Sequence, residues 1–142
     1  MDDVSFKQIR EASRVQGQRK HVFVVNGSPE FLDLLRELMQ EEGYNVTTTN
    51  FVPRTFDQIR ALEPDLIVID IVIGQIVGWD LLVQLQHEAT TSDVPVLIAS
   101  TDPHLLERAE SVRLHFPNTR FIGKPLDLDA LLGMINDLIG PA

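Results

Sequence analysis

Pro64-Asp65-Leu66-Ile67-Val68-Ile69-Asp70 is the stretch on which the fold turns. Its aliphatic run is rich in β-branched residues, too short for a helix and without polar alternation. That is the pattern of a strand buried on both faces, as in a parallel sheet. Proline breaks the preceding segment, and the run stops on a carboxylate. Working outward, the same shape recurs. Val22-Phe23-Val24-Val25 ends at Asn26-Gly27, and Pro95 precedes Val96-Leu97-Ile98-Ala99, which ends in Ser100-Thr101. Arg120 to Gly123 runs into Lys124-Pro125, and Asn45 to Thr49 reads as a further, less hydrophobic strand.

Helices are expected between these runs. Ser28-Pro29-Glu30 supplies a hydroxyl N-cap, a proline at the first helical position and an early acid. Phe31, Leu34, Leu35 and Leu38 follow at helical spacing, and Gly43 stops the helix. Pro53 opens a short helix with an apolar face of Phe56, Ile59 and Leu62. The Gly74 to Gly78 segment reads as a loop before a helix carrying Trp79, Leu82, Val83 and Leu85. Asp102-Pro103 starts a helix running to about His115, and a final helix carries Leu128, Leu131, Leu132, Ile135 and Leu138. Strands alternating strictly with helices imply an α/β fold, a doubly wound five-stranded parallel sheet with helices on both faces. Residues 1–20, polar and mixed in charge, form an N-terminal extension, and residues 21–140 form the domain. Beyond Lys124 there is room for one helix, so an appended DNA-binding output domain is not expected.

A 142-residue chain fits one domain. It has no cysteine, which excludes disulfides and thiolate metal sites. The formal net charge of −9 argues against nucleic acid and anionic membrane surfaces, both of which need Lys and Arg. No apolar run approaches the roughly 20 residues that span a bilayer, and the acidic start, Met1 to Phe6, is no secretory signal. A cytoplasmic protein without membrane insertion is expected.

In open parallel sheets, reactive groups collect beyond the carboxyl ends of the strands. That rule selects Asn26 and Gly27, Asp70, Ser100 and Thr101, and Lys124. One carboxylate, one hydroxyl and one ammonium should therefore converge at a single rim. Each has a plainer role available. Asp70 and Lys124 could be a permanent salt bridge, Ser100 a backbone cap and Phe121 a core residue.

These runs, in this order and spacing, resemble the receiver domains of bacterial response regulators, the chemotaxis receiver among them, over residues 21 to 139. The strand ending in Asp70, with Gly78 beyond it, and Lys124-Pro125 carry most of the likeness. The resemblance implies a flavodoxin-like sheet of strand order 2-1-3-4-5. It implies that Asp70 accepts a phosphoryl group from a sensor histidine kinase or phosphotransfer protein. It also implies that Ser100 and Lys124 coordinate that group and that Phe121 is the aromatic switch. Such a domain is not an enzyme in the ordinary sense; it signals to a downstream protein partner through the helix before the fifth strand, that strand and the last helix.

The sequence departs from that pattern where the family holds Mg²⁺. Two acids usually close the first strand; here stand Asn26 and Gly27. Asp70, the Asn26 amide oxygen and the Val72 backbone carbonyl remain as ligands, so metal binding should be weak or absent. Losing one carboxylate about 4 Å from a dication forfeits on the order of 8 kcal/mol of Coulomb attraction at an effective dielectric of about 20, before desolvation is counted. The segment Ile73-Gly74-Gln75-Ile76-Val77-Gly78 is also more apolar than usual. These departures motivate an alternative, a pseudo-receiver that binds partners independently of phosphate. A haloacid-dehalogenase-like phosphatase would need an acid where Val72 stands. A flavin binder would need a Ser/Thr/Gly-rich loop after the first strand. The scattered His21, His87, His104 and His115 form no metal motif.

Overall fold

The computed structural model describes residues 20–50, 54–71, 77–100, 111, 114, 116–123 and 127–140. The extension before Lys20, Val72, Thr101, Lys124 and nearly all of the expected 102–115 helix lie outside the described residues.

Among the described residues five strands and four helices are delimited: β1 (His21–Val25), α1 (Pro29–Glu41), β2 (Asn45–Thr49), α2 (Thr55–Leu62), β3 (Leu66–Ile71), α3 (Val77–His87), β4 (Val96–Ser100), β5 (Thr119–Gly123) and α4 (Leu128–Ile139). The strands form one sheet in the order β2-β1-β3-β4-β5, with every pairing parallel. This is the expected doubly wound, flavodoxin-like sheet.

Strand parity sorts the core into two layers. On one face Val22, Val24, Leu66, Val68 and Leu97 pack with Leu32, Leu35 and Met39 of α1 and with Leu131 and Ile135 of α4. On the other, Phe23, Val25, Ile67, Ile69, Val96 and Ile98 pack with Ile59 of α2 and with Leu81, Leu82 and Leu85 of α3. The middle strands are apolar in both directions because helices cover both faces.

The start of β3 is tied to the start of β1 in both directions. Asp65 Oδ2 accepts the His21 N–H at 2.8 Å, and the Asp65 N–H donates to the His21 carbonyl at 2.8 Å. The pairing that follows is Val22 with Leu66 through Val25 with Ile69.

Helix α1 starts as expected. Ser28 caps it by accepting the Phe31 N–H at 3.4 Å, Pro29 opens it, and Gly43 ends the turn with φ at 96°. Its buried stripe differs from the expected one. Leu32, Leu35 and Met39 face the sheet, Phe31 and Leu38 lie at its margins, and Leu34 is 46% exposed. Adjacent residues on a helix diverge by about 100°, so a Leu-Leu pair offers two registers, and the sheet takes the one centred on Leu35. Leu62, expected inside, lies at the exposed end of α2 beside Glu63, whose φ is 48°. Gly78, read as loop, falls in the first turn of α3.

The C-terminal end of α4 is held from two sides. The Tyr44 hydroxyl donates to the Gly140 carbonyl at 2.9 Å, and Lys20 Nζ donates to the Ile139 carbonyl. Such donors satisfy helix carbonyls that lack an intrahelical partner. Burial, and secondarily the charge of Glu42, raises the Tyr44 pKa above its ordinary value of 10.0.

Two outcomes follow. Truncating Leu35, which is fully buried, by Leu35→Ala should cost about 2–5 kcal/mol in denaturant-unfolding free energy. Tyr44 keeps its proton to higher pH folded than unfolded, so its contribution to stability is complete below about pH 10 and is lost as pH rises through the folded value. The stability difference between wild type and Tyr44→Phe, measured by urea unfolding, should therefore be constant below that pH and shrink above it.

Candidate functional site

The carboxyl ends of the strands bring three of the expected polar residues to one rim. Asp70 pairs with Ala99, and the next residues, Ile71 and Ser100, pair in turn. Ser100 also pairs with Gly123, so the chain enters Lys124 from that rim, although Lys124 itself is not among the described residues. On the other side of β3, the Val25–Ile69 pair sets Asn26 level with Asp70. Asn26 and Asp70 continue the parity of Val24 and Val68, which share one core layer, so their side chains lie on the same face.

All three side chains are buried: Asp70 is 6% exposed, Asn26 4% and Ser100 0%. Polar groups out of water need partners, and Asp70 and Ser100 each have polar or electrostatic contacts. Phe121, opposite Ile98 in β5, is half-buried and packs against the layer that holds Phe23 and Ile69. That location suits a core residue and an aromatic rotor equally.

Asn26 has a structural task that residue type and position alone did not reveal. Its N–H donates to the Thr49 carbonyl at 3.1 Å, carrying the β1–β2 ladder one step further. Its Oδ1 accepts the Ser28 N–H at 2.7 Å, an Asx turn that aims the chain into α1. The signal was present in Asn26-Gly27-Ser28-Pro29, a turn former followed by a cap and a first-turn proline. Asp65, quoted above only as part of the run leading into β3, accepts the His21 N–H and so pins the register.

The donor chemistry can be set against a divalent cation. Mg²⁺ takes oxygen ligands in near-octahedral geometry, with one or two carboxylates. The described strand ends supply a single carboxylate, Asp70, and the Asn26 amide oxygen is already engaged by Ser28. Among the described residues, no group of three or more His, Asp or Glu could hold a metal ion. The residues present do not fit a tight Mg²⁺ site. At Gly27, an added Cβ meets nothing within 4 Å, so a side chain there has open space.

The sequence matches the family model of the response regulator receiver domain over residues 22–136. The chain belongs to that family. Among curated proteins it is 25% identical over 118 residues to protein PilH of Pseudomonas aeruginosa, covering 83% of this chain and 96% of PilH. It is 24% identical over 126 residues to the probable transcriptional regulatory protein TcrX of Mycobacterium tuberculosis, covering 89% of this chain but 52% of TcrX. This chain thus spans about half of some relatives and nearly all of others. Among solved structures, the chemotaxis response regulator CheY4 of Vibrio cholerae superposes with a TM-score of 0.73 at 16% identity, over 85% of this chain and 99% of that one. That likeness shows the fold. Receiver domains are signalling modules that interact with histidine kinases and other proteins, and they generally bind Mg²⁺ at an acidic site. No described helix is long and apolar enough to cross a membrane.

Restoring two carboxylates beside Asp70 should restore cation binding. The double variant N26D/G27D is expected to bind Mg²⁺ at least tenfold more tightly than wild type in a titration followed by Trp79 fluorescence. Equal affinities would show that the β1 end does not govern the ion.

Proposed function

We propose that residues 21–140 are a phosphoryl-accepting receiver, preceded by an extension in residues 1–20, and that Asp70 is the acceptor. The observation that carries this reading is a buried carboxylate at the end of β3, one register step from the fully buried Ser100 hydroxyl. Phosphoryl transfer needs positioning and stabilisation of oxygens that already bear negative charge. In this reading Ser100 donates its hydroxyl to a phosphoryl oxygen and Lys124 pairs with the same group. Phe121 follows the change as a rotor, and Mg²⁺ contributes little, because Asp70 is the one carboxylate at the described strand ends and the Asn26 amide oxygen is engaged by Ser28.

The phosphodonor is a sensor histidine kinase or a phosphotransfer protein, and the output is contact with a downstream protein rather than nucleic acid. Similarity to PilH and to the polar-differentiation response regulator DivK of Brucella, of which the chain spans 96% and 98%, supports a stand-alone role. A cytoplasmic location belongs to the same reading.

One observation favours the second reading, a phosphate-independent interaction module. Asn26, where an acid would hold Mg²⁺, is built into the α1 cap.

The two readings part on one measurement. Wild type incubated with acetyl phosphate and Mg²⁺ should gain the mass of one phosphoryl group, and Asp70→Asn should gain none. An unlabelled wild type, under conditions that label an ordinary receiver, would leave only the interaction module.

A further inference from the structure

Asn26 offers more than a cap. Its side-chain amide has one acceptor atom and two donor hydrogens. The Ser28 N–H at 2.7 Å can be received only by Oδ1, so the orientation of the amide is fixed and Nδ2 points away from that turn. Nδ2 makes no hydrogen bond to any described residue. It is not sealed off either, because the one fully buried side-chain polar atom without a partner among the described residues is Thr90 Oγ1. A side chain 96% buried thus holds a donor at the rim that no described residue uses, since its exposure is 4%.

The sheet sets what that donor faces. Asn26 and Asp70 are level on adjacent strands and on one face, so their Cβ atoms stand about 5 Å apart. A group attached to the Asp70 carboxylate would lie on the same face of the sheet as the Asn26 side chain, on the neighbouring strand. A donor cannot ligate a cation; it can only meet an acceptor, and phosphoryl oxygens are strong ones.

We infer that Asn26 Nδ2 donates a hydrogen bond to a phosphoryl oxygen on Asp70, so that the pocket takes an anionic phosphoryl group without a divalent cation. This inference rests on the proposed role of Asp70 as acceptor. With acetyl phosphate, an Asp70 carboxylate oxygen attacks phosphorus and the bond from phosphorus to the acetyl oxygen breaks. The electron pair leaves with acetate, and no proton needs to move. The amide steadies charge on the transferring group, as a preorganised donor does in any anion-stabilising site.

The test compares initial labelling of the full chain by acetyl phosphate in excess EDTA and in Mg²⁺, read by intact mass. Wild type is expected to label in EDTA within threefold of its rate in Mg²⁺. Asn26→Asp still offers an oxygen to the Ser28 N–H, so the turn is kept, and an unchanged thermal midpoint checks it. That variant replaces the donor with a charge of the same sign as Asp70 and should label at least threefold more slowly in EDTA. The inference is overturned if wild type loses more than threefold in EDTA, or if Asn26→Asp labels there as fast as wild type. Absence of label in both conditions strikes instead at Asp70 as acceptor, so the two failures are distinguishable.

Discussion

The structure depends on the register between β1 and β3. Strand side chains alternate between faces, so a slip of one residue would carry the whole set of one strand to the other layer. Here such a slip would put Asn26 and Asp70 on opposite sides of the sheet. Asp65 opposes it by grasping His21 through a side-chain oxygen and a backbone N–H at once. Two aliphatic runs as uniform as Val22–Val25 and Leu66–Ile69 give little preference for one alignment over the next. The polar contact at their amino ends supplies the missing choice, and the geometry of the far rim is its consequence.

That rim gathers buried polar groups because the strands end there. Within the sheet, backbone groups pair with neighbouring strands and side chains meet helices on either face. At the carboxyl ends the ladder stops, yet the polar groups there, Asn26, Asp70 and Ser100, are still buried. Moving a carboxylate, an amide and a hydroxyl into such a place has a cost unless each is satisfied. Asn26 meets part of it by completing the β1–β2 ladder and the entry to α1. One residue therefore joins the stability of the first helix to the chemistry of the rim.

The sheet was legible because its strands are continuous apolar runs bounded by proline, glycine and single polar residues. Parallel pairing, layering and the side on which chemistry gathers all follow from that pattern. The buried stripe of α1 was less legible. Leu32, Leu34, Leu35, Leu38 and Met39 offer overlapping helical stripes, and only the contour of the sheet decides that Leu34 faces water. At the site, Asp70 and Ser100 were visible as residue types at strand ends. The capping role of Asn26 was not, because asparagine at that position reads equally as a lost acid, a ligand or a turn former, and only hydrogen-bond geometry separates them.

The clamp on α4 joins the two ends of the domain. Lys20, immediately before β1, reaches the Ile139 carbonyl, and Tyr44 holds the next carbonyl, at Gly140. Lys20 and Gly140, which bound the described domain, therefore lie side by side on the amino-terminal edge of the sheet, a full strand length from Asp70. Nature and the engineer meet the same permissive geometry there. A short peptide bridging Lys20 and Gly140 in a circularly permuted version would sit at that edge, away from the rim that carries Asp70.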